Sequence, residues 1–336
     1  LLESRGLGDV YKRQISGSAV ASAAAVGGTM SPLQKKDGYD ENFSAAVNIT
    51  SCPSGLLIPP SNTLIVFSLV SGGTSIAALF LAGYIPGILM GLSIMVVAGI
   101  IAKRRGYPIA ARPSLAMVWD TFLKAAPSLA LIVIIMGGII GGIFTATEAS
   151  AIAVVYTFVL AVLIYREVKW RDIPKIILES AVTTSIVLLL VGASMGMSWA
   201  MANADIPYMI ADALLAISDN PMMILLIINV ILLIVGIFMD MTPAVLIFTP
   251  IFLPIALDMG IDPVHFGIMM TFNLAIGICT PPVGSALFIG CSVANVAIDK
   301  VIKPLLPFYV ALIAALMAVT FIPQLSLFLP NLVLGY

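Results

Sequence analysis

Charge is scarce in this sequence. Only 10% of its 336 residues are charged, 60% are hydrophobic, and the mean hydropathy is +1.12. A soluble domain carries about 25% charged residues, so this chain cannot cover itself with a polar surface. It reads as an all-α polytopic membrane protein, and the lipid bilayer is its first partner. Cysteine is nearly absent: Cys52, Cys279 and Cys291 lie in apolar segments and form no CxxC pair. That suggests neither a disulfide framework nor a zinc site and favours three small core residues. Histidine occurs once, at His265. The formal net charge is −1, and neither a nucleic-acid partner nor an organic cofactor is expected.

Long hydrophobic runs are what the sequence has in abundance. A membrane helix needs about 20 apolar residues, and 77–102, 127–144, 148–165, 176–200 and 304–323 qualify. Residues 43–70 are interrupted by Pro53 and Pro59-Pro60, and 263–297 by Pro281-Pro282. Residues 222–258 are too long for one span and carry MDMTP (239–243) at their middle, which predicts a re-entrant hairpin with a polar tip. Residues 15–31 read as the tip and second arm of a similar hairpin. The polar head LLESRGLGDVYKRQ (1–14) shares no pattern with the rest and reads as a non-native leader. The organisation expected is a first repeat over 15–76, scaffold-type helices over 77–221, a second repeat over 222–297, and a C-terminal helix and tail over 298–336. Residues 112–126, with Trp119 and Lys124, suit an amphipathic helix lying along the interface.

The basic residues orient this layout. After the head they are Lys35, Lys36, Lys103, Arg104, Arg105, Arg112, Lys124, Arg166, Lys169, Arg171, Lys175, Lys300 and Lys303. With the Lys35-Lys36 end inside and both hairpins re-entrant, all thirteen fall on the cytoplasmic side. Residues 201–262 contain no Lys or Arg. An odd number of crossings by 222–258 would expel Lys300 and Lys303.

A shift of 222 residues carries Gly38 onto Gly260, Asp40 onto Asp262, Gly55 onto Gly277, Pro59-Pro60 onto Pro281-Pro282, and Ser18 onto Asp240. The crossing count gives the two copies opposite orientation. Inverted repeats with broken helices are characteristic of secondary transporters, whose site lies near the midplane.

Each copy offers a hairpin tip and a Pro-Pro break. A broken helix has free carbonyls at one end and free N–H groups at the other. Carbonyls and hydroxyls suit a hard cation such as Na⁺, and helix N-termini suit an anion. The cation-binding candidates are Ser16, Gly17 and Ser18 at the first tip, Gly55 and Pro59 at the first break, Asp240 and Thr242 at the second tip, and Gly277 and Thr280 at the second break. The substrate-binding candidates are Ser18, Ser61, Asn62, Thr242, Pro281 and Gly284. Gly17, Gly55, Gly277 and Gly284 permit close backbone approach. Asp240 is the one acid at a tip, a cation ligand or a tip-fixing acceptor. No Lys or Arg lies within a membrane segment after the head, so an anionic substrate would rest on helix N-termini, hydroxyls, Asn62 and bound cations.

The stretches ISGSAVASAAAVGG, KKDGYDENFSAAV, IPPSN, LFLAGYIPG, GGIFTATEAS, DPVHFG and TPPVGSALFIG resemble, in order from Ile15 to about Pro323, the large membrane subunit of tripartite ATP-independent periplasmic (TRAP) transporters, the DctM-like family. The resemblance implies a sodium-driven elevator importer in the bacterial inner membrane. Its cargo would be an organic acid, dicarboxylate or sialic-acid-like, delivered by a periplasmic substrate-binding protein. A small four-helix membrane subunit would accompany it, and Na⁺ would be the coupling ion. The family pattern places several helices and the first hairpin arm before the SGS tip, which this sequence does not include. It also has an acid where Ser22 stands and a proline where Ala146 stands.

Two other functions fit parts of the sequence. A one-component cation-coupled carboxylate carrier or antiporter would share the hairpins but need no binding protein. An intramembrane serine hydrolase would use GASMG (192–196) with Ser194 as nucleophile, but that motif needs a strand–turn–helix context and a histidine, and here it lies in an apolar helix. Small residues for helix packing account better for it and for GGIIGG (137–142). Glu148 reads as a helix N-terminal charge, and His265 as a polar interfacial residue at the outer surface.

Overall fold

The computed structural model describes residues 19–107, 114–218 and 220–335. The leader, the first hairpin tip with Ser16, Gly17 and Ser18, and Arg112 lie outside the described residues. Among the described residues, every regular element is a helix. They fall into two compact units, one drawn from residues 1–108 and 193–336, the other from 109–192.

In chain order the larger unit holds α1 (Ala19–Lys36), α2 (Glu41–Ser51), the short α3 (Ser54–Leu57), α4 (Asn62–Val70) and α5 (Ile76–Arg105). The smaller unit holds α6 (Leu115–Ile140), α7 (Ala146–Phe158) and most of α8 (Ile173–Asn203). The larger unit resumes with α9 (Ile206–Leu215), α10 (Pro221–Phe238), α11 (Met241–Asp258), α12 (Pro263–Gly277), α13 (Ser285–Ala294), α14 (Ile298–Phe321) and α15 (Gln324–Leu334). Six helices among the described residues are long and apolar enough to cross a membrane, or up to eight if each bent pair is one span.

The 222-residue shift that matched sequence positions also matches elements. It carries α1 onto α11 end to end, and the starts of α2 and α5 onto those of α12 and α14. The chemistry at the joints repeats too. Gly38 and Gly260 turn the chain at φ 81° and 77°, a region open to glycine. Asp40 then caps α2, its carboxylate accepting from the Phe43 N–H at 2.8 Å. Asp262 caps α12, accepting from Val264 N–H at 2.7 Å. Such caps are each worth about 1 kcal/mol. Both Pro-Pro peptide bonds are cis.

Packing between the copies is reciprocal. The arm α1 lies on α13, and α11 on α4; α2 lies on α14, and α12 on α5. Each contact has its counterpart under the 222-residue shift, as a pseudo-two-fold relation requires.

The centre of the unit is α12, buried along Val264–Gly277 and surrounded by α5, α10, α11, α14 and α15. A helix buried on every face carries no polar stripe. Lipid gives helices no hydrophobic drive to associate, so close approach and hydrogen bonds must hold them. At Gly277 a Cβ would stand 2.6 Å from the Gly236 backbone, so α10 and α12 cross there in direct contact. Two turns earlier along α10, Asn229 meets α12. The Asn273 amide donates to the Asn229 carbonyl and side-chain oxygen, each at 2.8 Å. The Asn229 amide in turn reaches Thr320 Oγ1 of α14 at 3.3 Å.

His265 is not interfacial. It is 2% exposed, with Nδ1 2.6 Å from Ser326 Oγ and Nε2 3.2 Å from the Thr320 carbonyl. The helix α15, which no hydrophobic run of span length announced, packs on α5 and supplies Ser326, so the ring is covered and paired.

Within the smaller unit, α6 bends by 59° between Leu115–Leu123 and Ala125–Ile140. GGIIGG is not a packing stripe throughout. The helix ends at Ile140, Gly142 takes φ 65°, and the Phe144 ring occupies the place a Cβ of Gly138 would need. Thr145 and Glu148 form a reciprocal capping box at the start of α7. Ala146 is the first residue of that helix, a position where proline is also at home. The Tyr156 hydroxyl donates to the Pro127 carbonyl at 2.7 Å, tying α7 to α6.

Candidate functional site

The second half-site is the better defined. Arms α10 and α11 meet at Met239-Asp240, both in extended backbone. Asp240 accepts from Ser285 Oγ at 3.3 Å, which places the hairpin tip beside the first residue of α13. Thr242 sits half-buried in the first turn of α11.

The break between α12 and α13 sorts its backbone groups. Ile276 and Gly277 carbonyls accept from the Cys279 and Thr280 N–H groups at 3.1 and 2.9 Å, and Ile278 O from Ala286 N–H at 3.0 Å. Thr280 Oγ1 donates to the Ile276 carbonyl at 2.8 Å. Residues 281–283 form a turn, and among the described residues no hydrogen bond reaches the carbonyls of Pro282 or Val283 or uses the N–H group of Ser285. Carbonyl oxygens for a cation and an amide hydrogen for an anion are therefore left within one short stretch. Gly284 is buried, and a Cβ there would lie 2.7 and 2.8 Å from the Thr280 and Ile278 carbonyl oxygens. Pro281 is half-buried, Gly277 buried.

At the first break, Ser61 is buried; its hydroxyl donates to the Leu56 carbonyl and accepts from the Leu64 N–H, capping α4. Among the described residues the carbonyls of Ile58, Pro59 and Pro60 and the N–H groups of Asn62 and Thr63 have no hydrogen bond. Pro59 is buried and Asn62 exposed. Gly55 is exposed with nothing near the place of a Cβ, so close approach does not explain it.

The structure thus brings Asp240 to the second break; the first tip lies outside the described residues. The link between the breaks lies one layer behind them, where Cys279 Sγ donates to the Ile49 carbonyl of α2 at 3.3 Å.

Three sets of residues were missed from the sequence. Gly83 and Gly87 of α5 press on the first break; a Cβ would stand 2.2 Å from the Leu57 carbonyl and 2.6 Å from the Ile58 side chain, respectively. Their small-xxx-small spacing was the available signal. Tyr309 of α14 donates to the Cys279 carbonyl at 2.5 Å. The Asn229–Asn273 pair carries no local signal, because its members are 44 residues apart. Two cavities, of about 450 and 260 Å³, lie elsewhere, and none of the candidate residues lines either. Ser194 is buried in the body of α8, away from any strand or turn.

A helical membrane protein with duplicated, reciprocally packed helix breaks is a transporter in class. The profile described as "Tripartite ATP-independent periplasmic transporter, DctM component" matches residues 13–325. The chain belongs to this family, as a large permease component in the bacterial inner membrane. It is 63% identical to the "Uncharacterized protein YgiK" of Salmonella typhimurium, across 95% of this chain and 73% of that one. It is 39% identical to the "C4-dicarboxylate TRAP transporter large permease protein DctM" of Pseudomonas aeruginosa (94% and 74% covered). Identity is also 39% to the "Sialic acid TRAP transporter large permease protein SiaM" of Vibrio cholerae (96% and 75% covered).

Proposed function

We propose that this permease imports an organic acid, a dicarboxylate or sialic-acid-like molecule, coupled to inward movement of Na⁺. The acid arrives from a periplasmic binding protein, and a small membrane subunit completes the complex. The observation that carries this reading is Asp240 beside the N-terminus of α13. A helix N-terminus attracts an anion, yet a carboxylate already stands there. A second carboxylate, from the substrate, is repelled unless a cation sits between them. Cation binding at Asp240, Thr242 and the free carbonyls of the break therefore precedes and permits acid binding, which is coupling in physical terms. The names of two relatives, for C4-dicarboxylate and sialic acid, support the substrate class.

The reciprocal packing supports an elevator movement. Each arm is seated on the opposite copy, so opening one hairpin alone would unseat it. Carrying the larger unit's core as one body leaves those contacts intact.

The test is uptake into proteoliposomes holding the complete permease and its small subunit, with purified binding protein added outside. Uptake is expected only with binding protein and an inward Na⁺ gradient. Uptake without any binding protein would favour a one-component carrier and overturn this reading. Uptake indifferent to Na⁺ would overturn the coupling.

A further inference from the structure

We infer that Tyr309 is a positioning residue for the second cation half-site, acting through the Cys279–Thr280 peptide; this rests on the proposed Na⁺ site. Tyr309 lies on α14, outside both the hairpin and the break. Its hydroxyl donates to the Cys279 carbonyl at 2.5 Å. The N–H of the same peptide, on Thr280, donates to the Gly277 carbonyl at 2.9 Å. That peptide plane is therefore held at both ends. A third tie comes from the other copy, where Cys279 Sγ reaches the Ile49 carbonyl at 3.3 Å.

The peptide held in this way leads directly into the turn 281–283, where among the described residues the Pro282 and Val283 carbonyls accept no hydrogen bond. A planar peptide has no soft torsion of its own. Fixing the plane at 279–280 leaves the direction of the Thr280 carbonyl to a single residue's torsions, with proline following on two sides of the break. Without the hydroxyl, the Cys279 carbonyl is released to compete for the cation or for water, and the direction of the next carbonyl is no longer set.

The first copy handles the equivalent group differently. The 222-residue shift carries Leu57 onto Cys279 and Gly87 onto Tyr309. Among the described residues the Leu57 carbonyl is pressed against Gly83 and accepts no hydrogen bond, and Gly87 lets α5 lie against Ile58. The tyrosine is therefore not a requirement of the repeat fold. It belongs to the half-site that contains Asp240.

The test is Tyr309→Phe, which keeps the ring and removes only the donor. Binding of Na⁺ is read as stabilisation of the purified, complete permease across a sodium titration, and as the Na⁺ dependence of uptake. The expected result is a half-saturating Na⁺ concentration raised about fivefold, the loss of one hydrogen bond's net worth. The maximal uptake rate at saturating Na⁺ is expected to change little, a split that a merely structural role would not give. Cys279→Ala removes the opposite tie without touching Tyr309, and about a twofold rise in the same quantity is expected. It serves as the test if Tyr309→Phe does not yield folded protein. Normal sodium dependence in the parent with no shift in either variant overturns the role of Tyr309 and leaves the Na⁺ site standing. A parent permease whose stability and uptake ignore Na⁺ overturns the site itself and the inference with it.

Discussion

Asp240 and Ser285 are joined by a hydrogen bond of 3.3 Å, although a whole hairpin arm and a fully buried helix separate them in sequence. The bond holds a hairpin tip against the start of the helix that follows the break. An acid that only fixed the tip would lose its value when either partner was removed. An acid that also ligates a cation would not. Asp240→Ala is expected to raise the half-saturating Na⁺ concentration at least tenfold, roughly the worth of a charge-assisted contact. Ser285→Ala is expected to raise it about twofold. Sodium titration of uptake checks both; equal effects would reduce Asp240 to a structural acceptor.

The contact of α10 with α12 depends on two residues that lack side chains. A Cβ on Gly277 would lie 2.6 Å from Gly236 backbone atoms, whereas one on Gly236 would lie 3.1 Å from Gly277 Cα. Gly277→Ala is therefore expected to destabilise by about 1–3 kcal/mol, and Gly236→Ala by less. Thermal unfolding in detergent orders the two, and a reversed order would mean that the helices separate freely.

Asn229 and Asn273 are both fully buried, and Asn273 Oδ1 and Thr271 Oγ1 have no hydrogen-bond partner among the described residues. Asn273→Leu strands the Asn229 side-chain oxygen, and Asn229→Leu leaves the Asn273 amide only the residue-229 backbone carbonyl. Each single change is expected to cost about 1–3 kcal/mol. The double change is expected to cost less than the sum, because the Asn229 side-chain oxygen and the Asn273 amide are removed together. A strictly additive cycle would show that the two amides do not act as a pair.

Gly284 and Asn62 occupy equivalent places in the two copies. At Gly284 a Cβ would crowd two carbonyl oxygens, so Gly284→Ala is expected to lower uptake more than about tenfold while the protein stays folded. Asn62 is exposed and its N–H free; Asn62→Gly is expected to raise the substrate KM several-fold and leave the Na⁺ requirement unchanged. Initial rates over matched substrate and Na⁺ series separate these outcomes. A change in the Na⁺ requirement alone would move Asn62 from the substrate to the cation.

Much of this fold was legible because membrane proteins state their interruptions openly. Pro59-Pro60 and Pro281-Pro282 cannot lie unnoticed in apolar runs, and polar MDMTP cannot be the middle of an ordinary span. A single spacing of 222 then tied these features together, and the helix starts of the structure follow the same spacing. What stayed hidden depends on contacts between distant segments. Nothing local marks Tyr309 as the donor to Cys279, or Asn229 as the partner of Asn273. His265 looked interfacial because Asp262-Pro263 opens its helix; only the later helix Gln324–Leu334 covers it. The role of Gly277 is also divided, since its packing against Gly236 accounts for glycine there without a cation.

The exchange of seats between the two copies has a consequence for synthesis. The arm Ala19–Lys36 rests on Ser285–Ala294, which leaves the ribosome some 250 residues later. At about 5–20 residues per second, that interval is on the order of tens of seconds. Through it, the arm must wait in the bilayer without its permanent neighbour. The second hairpin has no such delay, because its own seat, Asn62–Val70, is made long before it. The two copies pack alike in the finished structure and unlike during synthesis, and the first-made arm is the one that spends its early life exposed to misassembly.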